Sequence, residues 1–207
     1  MPRKRHQNEK PPWVEYYKAT STRPPTDTLT KALSLLDAEG PAKGERFAID
    51  LGCGSGRDTV ELIRRGWNVL AVDNEPEAIR WVRSATKPKY RARLKTRLAS
   101  FEKVRLPKCD LVNASYSLPF CSPECFASFW RRILASMRPG GRFAGHFFGV
   151  HDEWARDSLM TFHTVRQVKA MLSHLETEFF LEKEWNGTTA SGPRKHWHVF
   201  SVVARKP

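Results

Sequence analysis

The chain has 207 residues, of which 40% are hydrophobic, so we expect one domain with a full core. Its net charge of +13 makes polyanions candidate partners. The four cysteines have no regular spacing, which argues against a disulfide scaffold. No apolar run is long enough to span a membrane, which argues against a membrane protein, and no apolar signal segment is present, which argues against export. We therefore expect a cytoplasmic protein with no membrane partner, either a monomer or a homodimer.

The first elements are a basic arm and a segment that covers the rest of the domain. Residues 1–12 are predicted to be disordered, and residues 13–207 to form the single domain. Within it, residues 13–46 should form an N-terminal lid and a helix, because leucines at 29, 33 and 36 share one helical face.

A glycine-rich turn comes next. An apolar run ending at Asp50 leads into it, and a helical pattern from Thr59 leads out. Such a strand–turn–helix exposes backbone N–H groups to a nucleotide-like cofactor. The spacing is G-x-G-x-G, which differs from the G-x-G-x-x-G of dinucleotide-binding proteins. The turn consists of Gly52, Cys53, Gly54, Ser55 and Gly56.

A second apolar run, Val69 to Val72, ends in Asp73 and Asn74. An acid about 20 residues past the glycines is placed to accept hydrogen bonds from a ribose. Alternatively, Asp73 caps the helix that begins near Pro76. We favour the ribose role.

A basic segment follows. From Arg80 to Lys108 there are eleven Lys or Arg and a single acid, Glu102. If the segment 89–98 is a strand, alternate basic residues share one face. That face could track the phosphates of RNA or DNA, or it could protect an outer strand from edge-to-edge pairing, which we favour. The alternating residues are Lys89, Arg91, Arg93, Lys95 and Arg97.

The remaining elements are two strands with their loops, a helix and a hairpin. The run from Cys109 leads into the loop 113–120, and the turn 137–141 leads into a fifth strand. A helix is predicted over 164–174. Strands over 178–185 and 196–204 should pair through the turn-rich loop between them.

These motifs, in this order, resemble those of class I S-adenosyl-L-methionine (SAM)-dependent methyltransferases. Four motifs match those of this family: the acid before G-x-G-x-G, the acid at 73, the loop after the fourth strand and the Pro-Gly-Gly turn. The Gly-Arg-Asp run and the N-terminal Arg-Pro are similar to tellurite-resistance-type and trans-aconitate-type members. The resemblance implies an α/β, Rossmann-like fold. Its seven-stranded, mostly parallel sheet has the order 3-2-1-4-5-7-6, with strand 7 antiparallel and helices on both faces.

The resemblance also implies SAM as the cofactor and S-adenosyl-L-homocysteine as its product. Phe101 falls at the adenine side, although the family's usual Asp is not evident there. Arg23 resembles an arginine near the SAM carboxylate, or it is a solvated loop residue. The implied cofactor-binding residues are Arg23, Asp50, Gly52, Cys53, Gly54, Ser55, Gly56, Asp73, Asn74, Ser100, Phe101, Asn113 and Ala114.

The implied activity is methyl transfer to a small molecule with a carboxylate, amine, thiol or chalcogen acceptor. One alternative is an RNA or other nucleic-acid methyltransferase that uses the basic stripe 80–108. Asn113 and Tyr116 match the N-P-P-Y motif of amino-group enzymes, but both prolines are missing. Another alternative is a SAM-binding protein without transferase activity.

The candidate catalytic and acceptor-binding residues are aromatic residues and histidines. Methyl transfer mainly requires alignment of the reacting groups, so a catalytic dyad is not needed. His196 and His198 would share a strand face, but no third ligand has clear spacing, so we predict no metal site. The catalytic candidates are Tyr116, His163 and His198, and the substrate-binding candidates are Tyr16, Tyr17, Tyr116, Phe120, His163 and His196.

Overall fold

A computed structural model describes residues 13–41, 44–190 and 192–207; the arm predicted for 1–12 lies outside them. The helices are α1 (Trp13–Thr20), α2 (Asp27–Ala38), α3 (Arg57–Arg64), α4 (Pro76–Ala85), α5 (Pro123–Ser136) and α6 (Val165–Met171). The strands are β1 (Phe47–Leu51), β2 (Asn68–Asp73), β3 (Leu94–Leu98), β4 (Cys109–Ala114), β5 (Met137–Gly149), β6 (Phe162–His163), β7 (Glu176–Thr188) and β8 (Arg194–Arg205). None of the helices in these residues is long and apolar enough to cross a membrane.

The strands form one mixed sheet in the order β3-β2-β1-β4-β5-β8-β7. The predicted strands six and seven are β7 and β8, so the predicted order is confirmed, and β8 runs antiparallel to β5. The sheet has one additional member, the two-residue β6, which pairs with the end of β5. The α/β, Rossmann-like prediction is therefore correct.

The hydrophobic core lies on both faces of the sheet. β1, β2 and β4 are apolar runs buried on both sides, as central parallel strands require. The predicted leucines of α2 are buried against one face. On the other face, Trp130 of α5 packs with Phe143 and Phe147 of β5. These layers fix the carboxyl ends of the central strands, where the glycine turn lies.

The basic stripe is the element that differs most from prediction. Only Lys95 and Arg97 lie on β3, because residues 88–93 form a 3-10 helix. Pro88 has no N–H to donate to a sheet, and the N–H of Tyr90 bonds to the carbonyl of Lys87 instead. The prediction that five cations share one strand face is therefore wrong.

Candidate functional site

The glycine turn joins β1 to α3 at the carboxyl edge of the sheet. Gly52, Gly54 and Gly56 have φ values of +69°, +51° and +82°, in the left-handed region that side chains resist. A Cβ on Gly56 would lie 2.8 Å from Cγ2 of Val82. The turn therefore needs glycine for its backbone and for its approach to α4. Cys53 and Ser55 are buried between the glycines.

Two buried carboxylates lie beneath the turn. Nδ2 of Asn113 donates to Oδ1 of Asp50 at 2.8 Å and to Oδ2 of Asp58 at 3.0 Å, and Thr59 also donates to Asp50. Burial, with the charge of Asp58, raises the pKa of Asp50 to about 7. A cation beside this pair would stabilise both ionised forms. The ammonium group of the methionine part of SAM is such a cation, so the residues fit this cofactor.

Asp73 ends β2 and holds the neighbouring turn. Its Oδ2 accepts from the N–H of Gly54 and its Oδ1 from the N–H of Glu75, both at 3.0 Å. The bond to Glu75 lies before α4, whose N-cap is Glu75 without a side-chain cap, so Asp73 holds the turn and does not cap the helix. Since a carboxylate has about four acceptor positions, it can still accept from a ribose hydroxyl. Asn74, next to it, is exposed.

The N-terminal segment covers this turn. Tyr17 of α1 is 3% exposed, and its ring would lie 3.4 Å from a Cβ on Gly54. Thr20 pairs with Ser55 at 3.2 Å, and both the N–H and the hydroxyl of Thr26 donate to Asp58. The cleft left beneath α1 is small, with a volume of about 30 Å³, which is room for a few waters. In this structure α1 therefore closes over the glycine turn.

The next strand end carries a stacked pair of rings. Tyr116 follows β4 with φ +55°, an unusual value for a residue with a side chain. Its N–H donates to Nδ1 of His146 at 3.3 Å, and the two ring centroids are 3.9 Å apart. Burial, followed by the charge of Arg57, lowers the pKa of His146 to about 3, so this imidazole is neutral. Ala114, which ends β4, is buried beside Gly145.

Arg57 is the cation of this region. Its side chain is 18% exposed, and its Nε lies 3.9 Å from Oδ1 of Asp58, too far for a hydrogen bond. Burial raises the pKa of Tyr16 and of Tyr116, and the charge of Arg57 opposes both shifts. The guanidinium thus acts on both phenols and on His146. Sequence analysis selected neither Arg57 nor His146. Two positions in the sequence could have indicated them: Arg57 begins α3, and His146 lies in β5, after the Pro-Gly-Gly turn.

Arg23 lies at the rim of the same region. Its Nε donates to the carbonyl of Ala19 at 3.1 Å, and its side chain is otherwise open. Its charge opposes the raised pKa of Tyr16 and of Tyr116.

An aromatic wall continues from Tyr116 to the hairpin. Phe120 packs against Trp13 of α1 at 5.1 Å and against Trp154 at 6.5 Å, so it joins the lid to this wall. Lys195 lies inside the wall, 3.6 Å from the Trp154 ring, and forms a buried ion pair with Asp152. The wall consists of Tyr116, Phe148, Trp154, Phe162, Trp185 and Trp197.

The predicted histidines do not gather at the glycine turn. His163 packs between Phe126 and Phe147, and burial lowers its pKa to about 4. His196 lies on the hairpin and contacts Glu184 and Asn186.

His198 belongs to a group that sequence analysis missed. Ligand atoms of His151, Glu184 and His198 lie within 4.8 Å of one another. However, Nδ1 of His198 accepts from the N–H of His151 at 3.2 Å, so the proton of a neutral ring is on Nε2. That N–H faces the oxygen of Glu182 at 3.0 Å, which leaves no lone pair for a metal.

Two predicted adenine-side residues lie after β3. The ring of Phe101 stacks on Phe129 at 4.8 Å, and its carbonyl accepts from Arg132. The carbonyl of Ser100 accepts from the N–H groups of Lys103 and Val104. The phenyl ring is thus part of the core packing, and the backbone there forms a tight turn.

Comparisons with known proteins agree with this geometry. A family model described as a methyltransferase domain matches residues 48–141. The carboxy-S-adenosyl-L-methionine synthase of Vibrio parahaemolyticus is 26% identical over 147 residues, which are 68% of this chain and 59% of that protein. The magnesium-protoporphyrin O-methyltransferase of Rhodobacter capsulatus is 37% identical over 70 residues, covering 34% of this chain and 31% of that protein. The chain thus spans less than two thirds of these curated relatives.

Solved structures share the fold. TehB from Haemophilus influenzae superposes with a TM-score of 0.74 at 17% identity, over 93% of this chain and 66% of that one. The N-methyltransferase NodS from Bradyrhizobium japonicum, solved with S-adenosyl-L-homocysteine, gives 0.66 at 15% identity, over 86% and 85%. Residues 48–141 thus match a methyltransferase domain, and the chain shares the fold of class I SAM-dependent methyltransferases.

Proposed function

We propose that this protein methylates a small-molecule acceptor that carries a carboxylate. The observation that carries the proposal is the partly buried Arg57, whose ion pair with Asp58 is long, at 3.9 Å, and which lies among Tyr16, Tyr116 and neutral His146. A guanidinium in this position is suited to bind a carboxylate. Among the chemistries implied by the sequence, this setting favours the carboxylate acceptor. The O-methyltransferase among the curated relatives supports an oxygen acceptor.

The cofactor-holding roles in this proposal derive from the turn. Bound SAM supplies a methyl group on a positively charged sulfur. Asp73 would bind the ribose, the N–H groups of the glycine turn would line the methionine part, and Asp50 with Asp58 would face its ammonium group. α1 excludes water from this cleft when it is closed.

The acceptor needs no general base in this scheme. A carboxylate is already deprotonated near neutral pH, so the residues only have to orient it. Arg57 would hold it, and the Tyr16 and Tyr116 hydroxyls can donate to it because both phenols stay protonated. His146 fixes the left-handed backbone of Tyr116 through the 3.3 Å bond to its N–H. We therefore assign Tyr116 and Arg57 to the acceptor and His146 to their positioning.

Base methylation fits the same loop less well. An N-P-P-Y-type enzyme uses its asparagine to hold a target amine. Here both protons of Nδ2 of Asn113 already go to Asp50 and Asp58, and Oδ1 accepts from Ser115. The asparagine has no free proton for an acceptor.

The test is labelled methyl transfer. Purified protein, isotopically labelled SAM and a fractionated cell extract should yield a labelled, base-labile methyl ester. Arg57→Met should lower kcat/KM by at least about 100-fold, since a charged hydrogen-bonding pair is worth about 1.5–3 kcal/mol per bond. Arg64→Met, which removes an exposed cation from the same helix, is the matched control.

Other outcomes refute parts of the proposal. A labelled amine, thioether or chalcogen product would refute the carboxylate acceptor while keeping the methyltransferase. Tight SAM binding without transfer across broad acceptor libraries would instead indicate a SAM-binding protein. Binding of neither SAM nor its demethylated product by folded protein would overturn the cofactor as well.

A further inference from the structure

The outer edge of the sheet carries cations that methyl transfer does not use. We name it the basic edge and define it as Arg83, Lys87, Lys89, Arg91, Lys95 and Arg97. All six are exposed, and none has an acidic partner among the described residues. We propose that the basic edge binds single-stranded RNA, which goes beyond the proposed transfer to a small molecule.

The cations converge although they belong to different elements. Arg83 lies in the last turn of α4, Arg91 lies in the 3-10 helix, and Lys95 and Arg97 lie on β3. These four line one open groove of about 850 Å³ along the edge. Like charges gathered in one groove repel one another, so the arrangement costs stability unless an anion occupies it.

Edge protection alone does not account for this arrangement. A lysine or arginine on the outer strand itself is enough to discourage pairing, and β3 already has Lys95 and Arg97. Arg83, Lys87, Lys89 and Arg91 lie off the strand and add nothing to that protection. Of these, Arg83 and Arg91 line the same groove as Lys95 and Arg97, and Lys87 and Lys89 are their exposed neighbours in the chain, an arrangement suited to binding phosphates.

The groove also distinguishes among polyanions. Its four cations can track the phosphates of one flexible strand, as the basic grooves of single-strand-binding proteins do. Within the part of the chain that the structure describes, β3 pairs only with β2, so its outer carbonyls are open acceptors there. A ribose 2′-hydroxyl can donate to such carbonyls and deoxyribose cannot, which favours RNA.

The experiment is a binding titration with fluorescently labelled 12-nucleotide oligo(U) RNA at several salt concentrations. One variant, called the edge variant, combines Lys89→Gln, Arg91→Gln and Lys95→Gln. Each phosphate contact contributes about −0.7 to the slope of log K against log salt for single strands. Losing three contacts should reduce the magnitude of the slope by about 2 and the affinity at 0.1 M salt by about 100-fold.

The matched control is a variant with Lys31→Gln, Arg131→Gln and Arg166→Gln, which removes the same charge from exposed positions on α2, α5 and α6. It should bind as the unaltered protein does. Equal losses in the two variants would overturn the site in favour of net charge. If the edge variant does not fold, RNA binding by the unaltered protein still tests the proposal. A slope of log K against log salt with a magnitude below about 2 would overturn it.

Further arms test the choice of ligand. Oligo(dU) of equal length should bind roughly 10-fold more weakly, the effect of losing one or two hydrogen bonds. Equal binding of DNA, of RNA duplex or of polyglutamate would overturn the assignment to single-stranded RNA. Methyl transfer to the small acceptor should be unchanged in the edge variant, so failure here is distinguishable from failure of the proposed function.

Discussion

The role of Asp73 gives the sharpest test of the cofactor site. Its carboxylate accepts two backbone N–H groups of this chain, and we propose that it also binds the ribose hydroxyls. Asp73→Ala removes both uses at once, so the stability and the affinity have to be measured separately.

The two losses have different sizes. The backbone N–H groups of Gly54 and Glu75 would each lose an acceptor, which costs about 1–3 kcal/mol apiece in the free energy of unfolding. Two charge-assisted bonds to the ribose are worth about 3 kcal/mol together or more, so Kd for S-adenosyl-L-homocysteine should rise by at least about 100-fold.

The assay is calorimetric titration with S-adenosyl-L-homocysteine and with its 2′,3′-dideoxyribose analogue. The unaltered protein should bind the analogue about 100-fold more weakly, whereas Asp73→Ala should bind both ligands with similar affinity. Glu77→Ala, which removes a carboxylate from the first turn of α4, is the control and should bind as the unaltered protein does.

The refuting result is an equal penalty for the analogue in both proteins. A coupling energy below about 0.5 kcal/mol would mean that ribose and carboxylate act independently. Asp73 would then only cap the turn.

Three further predictions concern burial. Because the pKa of Asp50 is raised in the folded protein, the folded state keeps a proton that the unfolded chain loses, and the free energy of unfolding should fall as pH rises from about 4 to about 7. Urea unfolding across that range should show a flatter profile for Asp50→Asn; an unchanged profile would contradict the raised pKa. Tyr17→Ala should speed SAM association in stopped-flow measurements, because its ring packs over Gly54; an unchanged rate would mean that α1 does not control entry. Lys195→Met should cost about 3–5 kcal/mol in urea unfolding by stranding Asp152, and adding Asp152→Asn should recover part of the loss; simple additivity would argue against a coupled pair.

The sequence predicts those parts of the site that are local in the chain. Strand, glycine turn and helix follow one another within residues 47–64, and the acid of β2 is read from a single apolar run. The strand order could be predicted as well, because the resemblance covers the whole series of motifs. The added β6 has only two residues and no periodic signal.

Contacts between distant segments were not predictable. Asn113 was expected only to face the cofactor, but it bridges carboxylates contributed by β1 and α3. The stack of Tyr116 on His146 depends on the register of β4 with β5 and on a left-handed backbone that favours no particular side chain. The basic stripe was wrongly predicted as a strand, because its alternating basic residues were given more weight than Pro88, which begins a 3-10 helix.

The cover formed by α1 has a kinetic consequence. Tyr17 packs over Gly54 and Thr26 is tied to Asp58, and we expect both contacts to break before a spent cofactor leaves or a fresh one enters. Under the proposed function, each turnover then includes an opening event that is independent of the acceptor's chemistry. Such an event sets a ceiling on the rate that no better acceptor can raise, and a protein already loaded with SAM would complete its first turnover faster than later ones.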